Sequence, residues 1–233
     1  MQAFIQASGL VKKYGERCVV SGLDLTIREG EVLAVIGPNG AGKSTTLDLL
    51  LGLRRADEGS IRYWTSNPHQ QMGVQLQATP FFPGLNALEN MRMFAAFYGV
   101  KLTNQQIEEY LARCGLEAVA RTDAARLSGG QQKRLAIAMT LAHDPKLLFL
   151  DEPTAALDPR ARREVRELIR SLADAGTSVV FTSHDMEEVH KLATRIVVIS
   201  QGRLIAEGSP EALMAQSDCE NLEELYLCLT GEG

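Results

Sequence analysis

The sequence predicts an α/β fold with a mostly parallel sheet, and two patterns carry that reading. Short, continuously apolar runs recur along the chain at Val32 to Ile36, Leu147 to Leu150, Val179 to Phe181 and Ile196 to Ile199. Runs of that kind are strands buried on both faces. Between them lie amphipathic helical segments, and strands alternating with helices imply parallel pairing through right-handed crossovers.

The elements follow in order. Leu23, Leu25 and Ile27 alternate with polar residues, so the first 30 residues read as strands that turn at Arg28-Glu29-Gly30. After the buried run ending at Ile36 comes a glycine-rich stretch and a helix carrying Thr46, Leu47, Leu50 and Leu51. Past the turn at Asp57-Glu58-Gly59, strands are expected at Ile61 to Trp64 and Met72 to Leu76. Pro80 and Pro83 mark a change of pattern. Asn86 to Tyr98 is helical, with Leu88, Met91, Phe94, Ala95 and Tyr98 near one face. Thr103 opens the next helix with Gln106 completing a capping box, and Gly115 stops it. From Leu127 a helix is expected to run to about His143, before Asp144-Pro145. Asp158-Pro159 is an N-cap followed by proline at the first helical position. That helix buries Val165, Leu168, Ile169 and Leu172 and closes at Gly176.

Composition excludes several classes. At 233 residues the chain can bury a large core without disulfides or metal staples. Cys18, Cys114, Cys219 and Cys228 form no C-x-x-C pair, and reduced thiols in a cytosolic protein are expected. The start, Met1 to Tyr14, lacks the apolar run of a signal peptide. The longest mostly apolar segment, Leu135 to Ala142, is far short of the roughly twenty residues a membrane span needs. A net charge of −5 with no basic block argues against a nucleic-acid partner.

Three motifs carry chemistry. Gly37, Pro38, Asn39, Gly40, Ala41, Gly42, Lys43 and Ser44, with Thr45 behind them, match G-x-x-x-x-G-K-[ST] between a buried strand and a helix. Such a loop aims backbone N–H groups and a helix N-terminus at phosphate oxygens; Lys43 would bridge the outer phosphates and Ser44 would ligate Mg²⁺. The strand Leu147 to Asp151 ends in a carboxylate at the sheet edge where such folds bind ligands, and Glu152 follows at once. Asp151 would hold Mg²⁺ and Glu152 would polarise the attacking water. The third motif is Leu127-Ser128-Gly129-Gly130-Gln131, a second glycine-rich helix start suited to anionic phosphate. By itself it reads as a helix cap; beside a complete phosphate loop it reads as a second cradle.

Together these motifs resemble the nucleotide-binding subunit of ATP-binding cassette (ABC) transporters, over about residues 3 to 230. The resemblance implies a P-loop NTPase core with an N-terminal antiparallel β subdomain and an inserted α-helical subdomain. The core and β subdomain would take about 1–79 and 127–210, the helical subdomain about 80–126, and a short helical tail about 211–233. It also implies an ATPase with ATP and Mg²⁺ as cofactors. Ser128, Gly129, Gly130 and Gln131 would close over the nucleotide of a second copy or a homologous subunit. Tyr14 falls where the family stacks an aromatic on adenine. Gln77 resembles the glutamine that reaches Mg²⁺ and links the site to the membrane partner; Gln75 shares its strand face, and Gln77 is preferred because it starts the loop. Asp158, in Ala156-Leu157-Asp158, resembles the loop that crosses to the partner and is also a good N-cap. His184 resembles the switch histidine at the γ-phosphate. Ala155 departs from the small hydroxyl residue many members carry there.

L-N-A-L-E-N and F-A-A-F-Y-G within Phe82 to Tyr98, with the ending from Asn221 to Gly231, resemble the exporter class whose ATPase is a separate chain. Importer subunits often carry an added regulatory domain beyond this point, and none is expected here. The expected partner is an integral membrane permease, placing the chain on the cytoplasmic face of the cell membrane. An importer ATPase and a soluble cassette protein remain the alternatives.

Overall fold

A computed structural model describes residues 2–77, 81–82 and 84–231. The pattern change at Pro80 and Pro83 lies outside the described residues. In chain order the strands and helices are β1 (Ala3–Tyr14), β2 (Arg17–Arg28), β3 (Val32–Ile36), α1 (Lys43–Leu50), β4 (Glu58–Tyr63), β5 (Met72–Gln75), α2 (Ala87–Phe97), α3 (Asn104–Arg113), α4 (Gly129–Thr140), β6 (Leu147–Asp151), α5 (Pro159–Asp174), β7 (Ser178–Thr182), α6 (Met186–Leu192), β8 (Arg195–Ser200), β9 (Arg203–Gly208), α7 (Pro210–Ser217) and α8 (Leu222–Thr230). They fall into two compact units, Met1–Pro68 with Val180–Gly233, and His69–Val179.

In the first unit, β1 lies between β2 and β4 in a three-stranded antiparallel sheet. The β1–β2 hairpin turns through Gly15 and Glu16, with Gly15 at φ 60°. Glycine at the first of two turn positions permits the positive φ that matches strand twist. The alternation read from the sequence is real: Leu23, Leu25 and Ile27 are at most 2% exposed, while Asp24 faces solvent. Every residue of β3 is buried, and β3 pairs in parallel with β8. Glu31, just before β3, grips Arg195 at the start of β8 through two bonds of 2.8 and 2.9 Å. This bidentate pair holds the two strand starts in register. β8 then returns antiparallel as β9, a strand the sequence reading left out. The turn is Gln201-Gly202, both at positive φ, as a two-residue hairpin favours.

The second unit is built on β5 and β6, paired in parallel. A Cβ on Gly73 would lie 2.7 Å from Thr140 O of α4, so only glycine lets strand and helix approach this closely. Both expected helices after residue 85 are present, each with a capping box, Asn86 with Glu89 and Thr103 with Gln106. The helix expected to reach His143 stops at Thr140. Leu141 to His143 form a turn closed by Asp144 N donating to Leu141 O (2.9 Å). Cys114 is buried, which pushes its thiol up to about 12 and makes it an inert apolar filler.

His143 ends that turn stacked on Tyr98, ring centroids 3.7 Å apart. Its Nε2 donates to Met72 O at 2.9 Å, while Nδ1 is buried without a hydrogen-bond partner among the described residues. Burial lowers the His143 pKa; the Met72 carbonyl and Asp144 act the other way and do not offset it. The folded chain therefore binds this proton less readily than the unfolded chain. Its stabilising contribution is present above the ordinary imidazole value of 6.5 and is lost as pH falls below it. Denaturant midpoints at pH 7.5 and 5.5 should fall more for the wild type than for His143→Phe, which keeps the stack and cannot titrate.

Candidate nucleotide site

The phosphate loop belongs to the first unit and is shaped by carbonyls that leave no room for side chains. A Cβ on Gly37, at φ 151°, would lie 1.9 Å from Ile199 O. One on Gly42, at φ 102°, would lie 2.5 Å from Val19 O. A Cβ on Gly202 would lie 2.5 Å from the same Val19 carbonyl; Gly202 donates its N–H to Ala41 O (2.9 Å), and its carbonyl accepts from Ser21 N (2.8 Å). The β8–β9 turn thus ties the loop to β2. Gly202 was not singled out from the sequence; its signal was a Gln-Gly pair between two apolar runs.

Lys43 is only 9% exposed, and its ammonium donates to Gly37 O (2.6 Å) and Pro38 O (3.0 Å). The loop is curled around its own lysine, so an arriving phosphate would exchange neutral carbonyl partners for anionic ones. Asn39, Gly40 and Ser44 are exposed, and Thr45 is half-buried behind them. Gly42 is the N-cap of α1, so the first-turn N–H groups lack helical partners. Tyr14, at the end of β1, keeps 43% of its surface exposed, with Lys12 and Arg54 each 5.7 Å from its ring. His184 is exposed beyond β7. Its neighbours are anchored: Ser183 Oγ donates to Glu188 Oε2 (2.5 Å), and Asp185 caps α6.

The other candidates belong to the second unit. Asp151 ends β6, and Glu152 follows with φ 47°, a left-handed conformation that costs a non-glycine residue about 1–3 kcal/mol. Gln77 Nε2 lies 3.3 Å from Glu152 Oε2. Gln75 differs sharply: it is 4% exposed, and its amide donates to the neighbouring Leu76 carbonyl. Lys133, which the sequence reading passed over, extends from α4 to Glu152 O at 3.4 Å. Burial lowers its pKa, while Asp151 and Glu152 act in the opposite direction. Asp158 caps α5, accepting from Arg160 N and Ala161 N at 3.0 Å each.

Ser128 and Gln131 form a reciprocal capping box at the start of α4: Ser128 Oγ accepts from Gln131 N, and Gln131 Oε1 accepts from Ser128 N. The serine hydroxyl still has its own hydrogen to donate. The two glycines have different surroundings. Gly129 is exposed, and a Cβ there would make an ordinary 3.6 Å contact with Leu157. Gly130 is buried, and a Cβ there would lie 2.6 Å from the Ala161 methyl on α5. Gly130 therefore sets how closely α4 and α5 pack. Gly130→Ala should destabilise the chain by about 1–2 kcal/mol in chemical denaturation, overpacking outweighing the helix-propensity gain. Gly129→Ala should be neutral or slightly stabilising in the same assay.

Comparison with known proteins agrees with this chemistry. Residues 20–155 match the family model described as ABC transporter. The chain is 38% identical over 222 residues to Nod factor export ATP-binding protein I of Burkholderia lata, covering 91% of this chain and 73% of that protein. It is 34% identical over 230 residues to linearmycin resistance ATP-binding protein LnrL of Bacillus subtilis, covering 95% and 74%. Among solved structures, the dimeric post-hydrolysis state of the ATP-binding cassette MJ0796 with ADP and Pi superposes with a TM-score of 0.77 at 28% identity, covering 88% of this chain and 98% of that one. With a family model matched over more than half of its length and relatives of this identity and coverage, this ATPase chain belongs to the ATP-binding subunits of ABC transporters.

Proposed function

We propose that this chain powers an export-type transporter, pairing with a second cassette around two ATP molecules and driving a separate membrane permease. One observation carries the reading. The chain has two glycine-rich helix starts suited to phosphate, at α1 and α4, and a single ATP does not need both. The α4 start offers the Ser128 hydroxyl, first-turn N–H groups and the positive end of a helix dipole to the nucleotide of a partner subunit. Relatives named for Nod factor export and for linearmycin resistance support the direction of transport.

Lys43 and the loop N–H groups hold the β- and γ-phosphates, and Tyr14 stacks on the adenine. Ser44, Asp151 and Gln77 supply hydroxyl, carboxylate and amide oxygens, a hard donor set that fits Mg²⁺. The bound cation would neutralise charge on the outer phosphate oxygens. Glu152 takes a proton from the attacking water while the new P–O bond forms and the γ-phosphorus–ADP bond breaks. Gln77, within reach of Glu152, orients the carboxylate and reports the state of the site to the membrane partner. His184 steadies the γ-phosphate. Loss of that phosphate weakens the dimer seam, a population shift set by differential affinity for two states.

The surface near Gln77 and the helical insertion, about residues 80–126, is the docking surface for the permease. Phe97 is 66% exposed, Leu76 49% and Met93 39%, and Phe82, Phe94 and Phe97 cluster with centroids 5.9–6.0 Å apart. Exposed apolar patches of this kind mark interaction sites. Among the described residues no helix is long and apolar enough to cross a membrane, so the translocation path is assigned to that partner.

Glu152→Gln should reduce hydrolysis by about 10²-fold or more and give an ATP-stabilised dimer on size exclusion. A variant that stays monomeric with ATP and Mg²⁺ would count against the reading. Ser128→Arg should leave ATP binding to the monomer intact and abolish dimer closure. Phe97→Glu should remove co-purification with the permease while the isolated chain keeps its ATPase rate.

A further inference from the structure

The hairpin that presents Tyr14 presents a second side chain toward the phosphate loop. Arg17 is the first residue of β2 and pairs directly with Tyr14 across the two-residue turn. A Cβ placed on Gly40 would lie 3.6 Å from Arg17 Nη2, so the guanidinium stands beside the exposed crest of the loop. Arg17 is itself exposed, and among the described residues its guanidinium makes no hydrogen bond or ion pair. Glu16, its neighbour in sequence, does not hold it. An arginine on a β-hairpin usually reaches solvent or a carboxylate; this one lies along a loop built to receive an anion.

The two cations at the loop stand in different places. The Lys43 ammonium is 2.6 Å from Gly37 O and 3.0 Å from Pro38 O, at the loop's entry. Arg17 stands at Gly40 and belongs to the same strand pair as Tyr14. A guanidinium offers five donors in a planar fork that matches phosphate oxygens, and it stays charged at any working pH.

We propose that Arg17 is a nucleotide-positioning residue, donating to the phosphate chain on the adenine side of the Lys43 contact, where ATP and ADP are alike. The assignment rests on the ATP-binding reading above. It separates two duties: Lys43 discriminates the terminal phosphate, and Arg17 anchors the part of the nucleotide that stays after hydrolysis. Arg17 therefore governs nucleotide retention in both states and leaves the chemical step alone.

The test is isothermal titration of the full-length chain with ATP and with ADP, with steady-state ATPase kinetics, on wild type, Arg17→Ala, Arg17→Lys and Lys43→Ala. Arg17→Ala should weaken ATP and ADP alike by about tenfold, the scale of one lost charge-assisted bond at a partly exposed site. KM should rise with kcat within about threefold, the signature of a contact made equally in ground and transition states. Arg17→Lys should recover part of the loss, because a point charge remains without the fork. Affinities within twofold of wild type in Arg17→Ala would overturn the proposal, as would a loss confined to ATP. Equal losses in both Arg17 variants with a lowered melting temperature would make Arg17 a prop for the hairpin and overturn it too. Failure of the nucleotide reading looks different: wild type would not bind ATP, or Lys43→Ala would bind it as wild type does.

Discussion

The carbonyl of Val19 is the constraint on which the phosphate loop depends. It occupies the space where side chains on Gly42 and Gly202 would otherwise sit, each 2.5 Å from a would-be Cβ. Because neither residue has a side chain, the loop, the β8–β9 turn and β2 meet backbone to backbone. Hydrogen bonds from Gly202 to Ala41 and from Ser21 to Gly202 then fasten them. A loop held this way keeps its N–H groups preorganised, so little ordering cost remains when phosphate binds. The same approach leaves Asn39 and Gly40 as the exposed crest, with Arg17 beside it.

The second unit reaches preorganisation by another route. Its acidic strand end spends conformational energy: Glu152 and Ala156 both take positive φ without being glycines. Such strain persists only where surroundings over-determine it. Here the flanks are a buried parallel strand before Asp151 and the Asp158-capped α5 after it. Gln77 and Lys133 converge on Glu152, one at its carboxylate and one at its carbonyl. The glycine-rich start of α4 serves folding, and the proposed ligand chemistry would use what folding leaves free. Ser128 and Gln131 satisfy the helix end, Gly130 admits α5, and Gly129 is left exposed. A helix cap and a phosphate cradle are compatible because the cap uses the serine's lone pair and leaves its hydrogen.

Element type was legible in the sequence wherever one periodicity ran unbroken. β3, β6 and β8 are continuous apolar runs, α5 carries a clean stripe between Asp158 and Gly176, and α3 announces itself by Thr103 and Gln106. Ends and returns were less legible. α4 stops three residues before His143 because Leu141 to His143 close a turn, which apolar content does not reveal. β9 went unread because its apolar run is only three residues, Leu204 to Ala206, and no residue of Arg203 to Gly208 is fully buried; pairing with β8 is what makes it a strand.

The sequence by itself determined the family: a G-x-x-x-x-G-K-[ST] loop, a strand-end acid pair and an L-S-G-G-Q helix start are local strings whose meaning is carried by adjacent residues. Tertiary structure decided which neighbours those strings acquire. It separated Gln77, whose amide meets Glu152, from Gln75, which is buried two residues earlier. It separated Gly129 from Gly130, and it brought Arg17, Lys133 and Gly202 to places no local pattern implied. The reason is physical. A motif fixes backbone conformation and donor type over a few residues, whereas burial and contact distance depend on chain segments far away in sequence, and only packing brings those together.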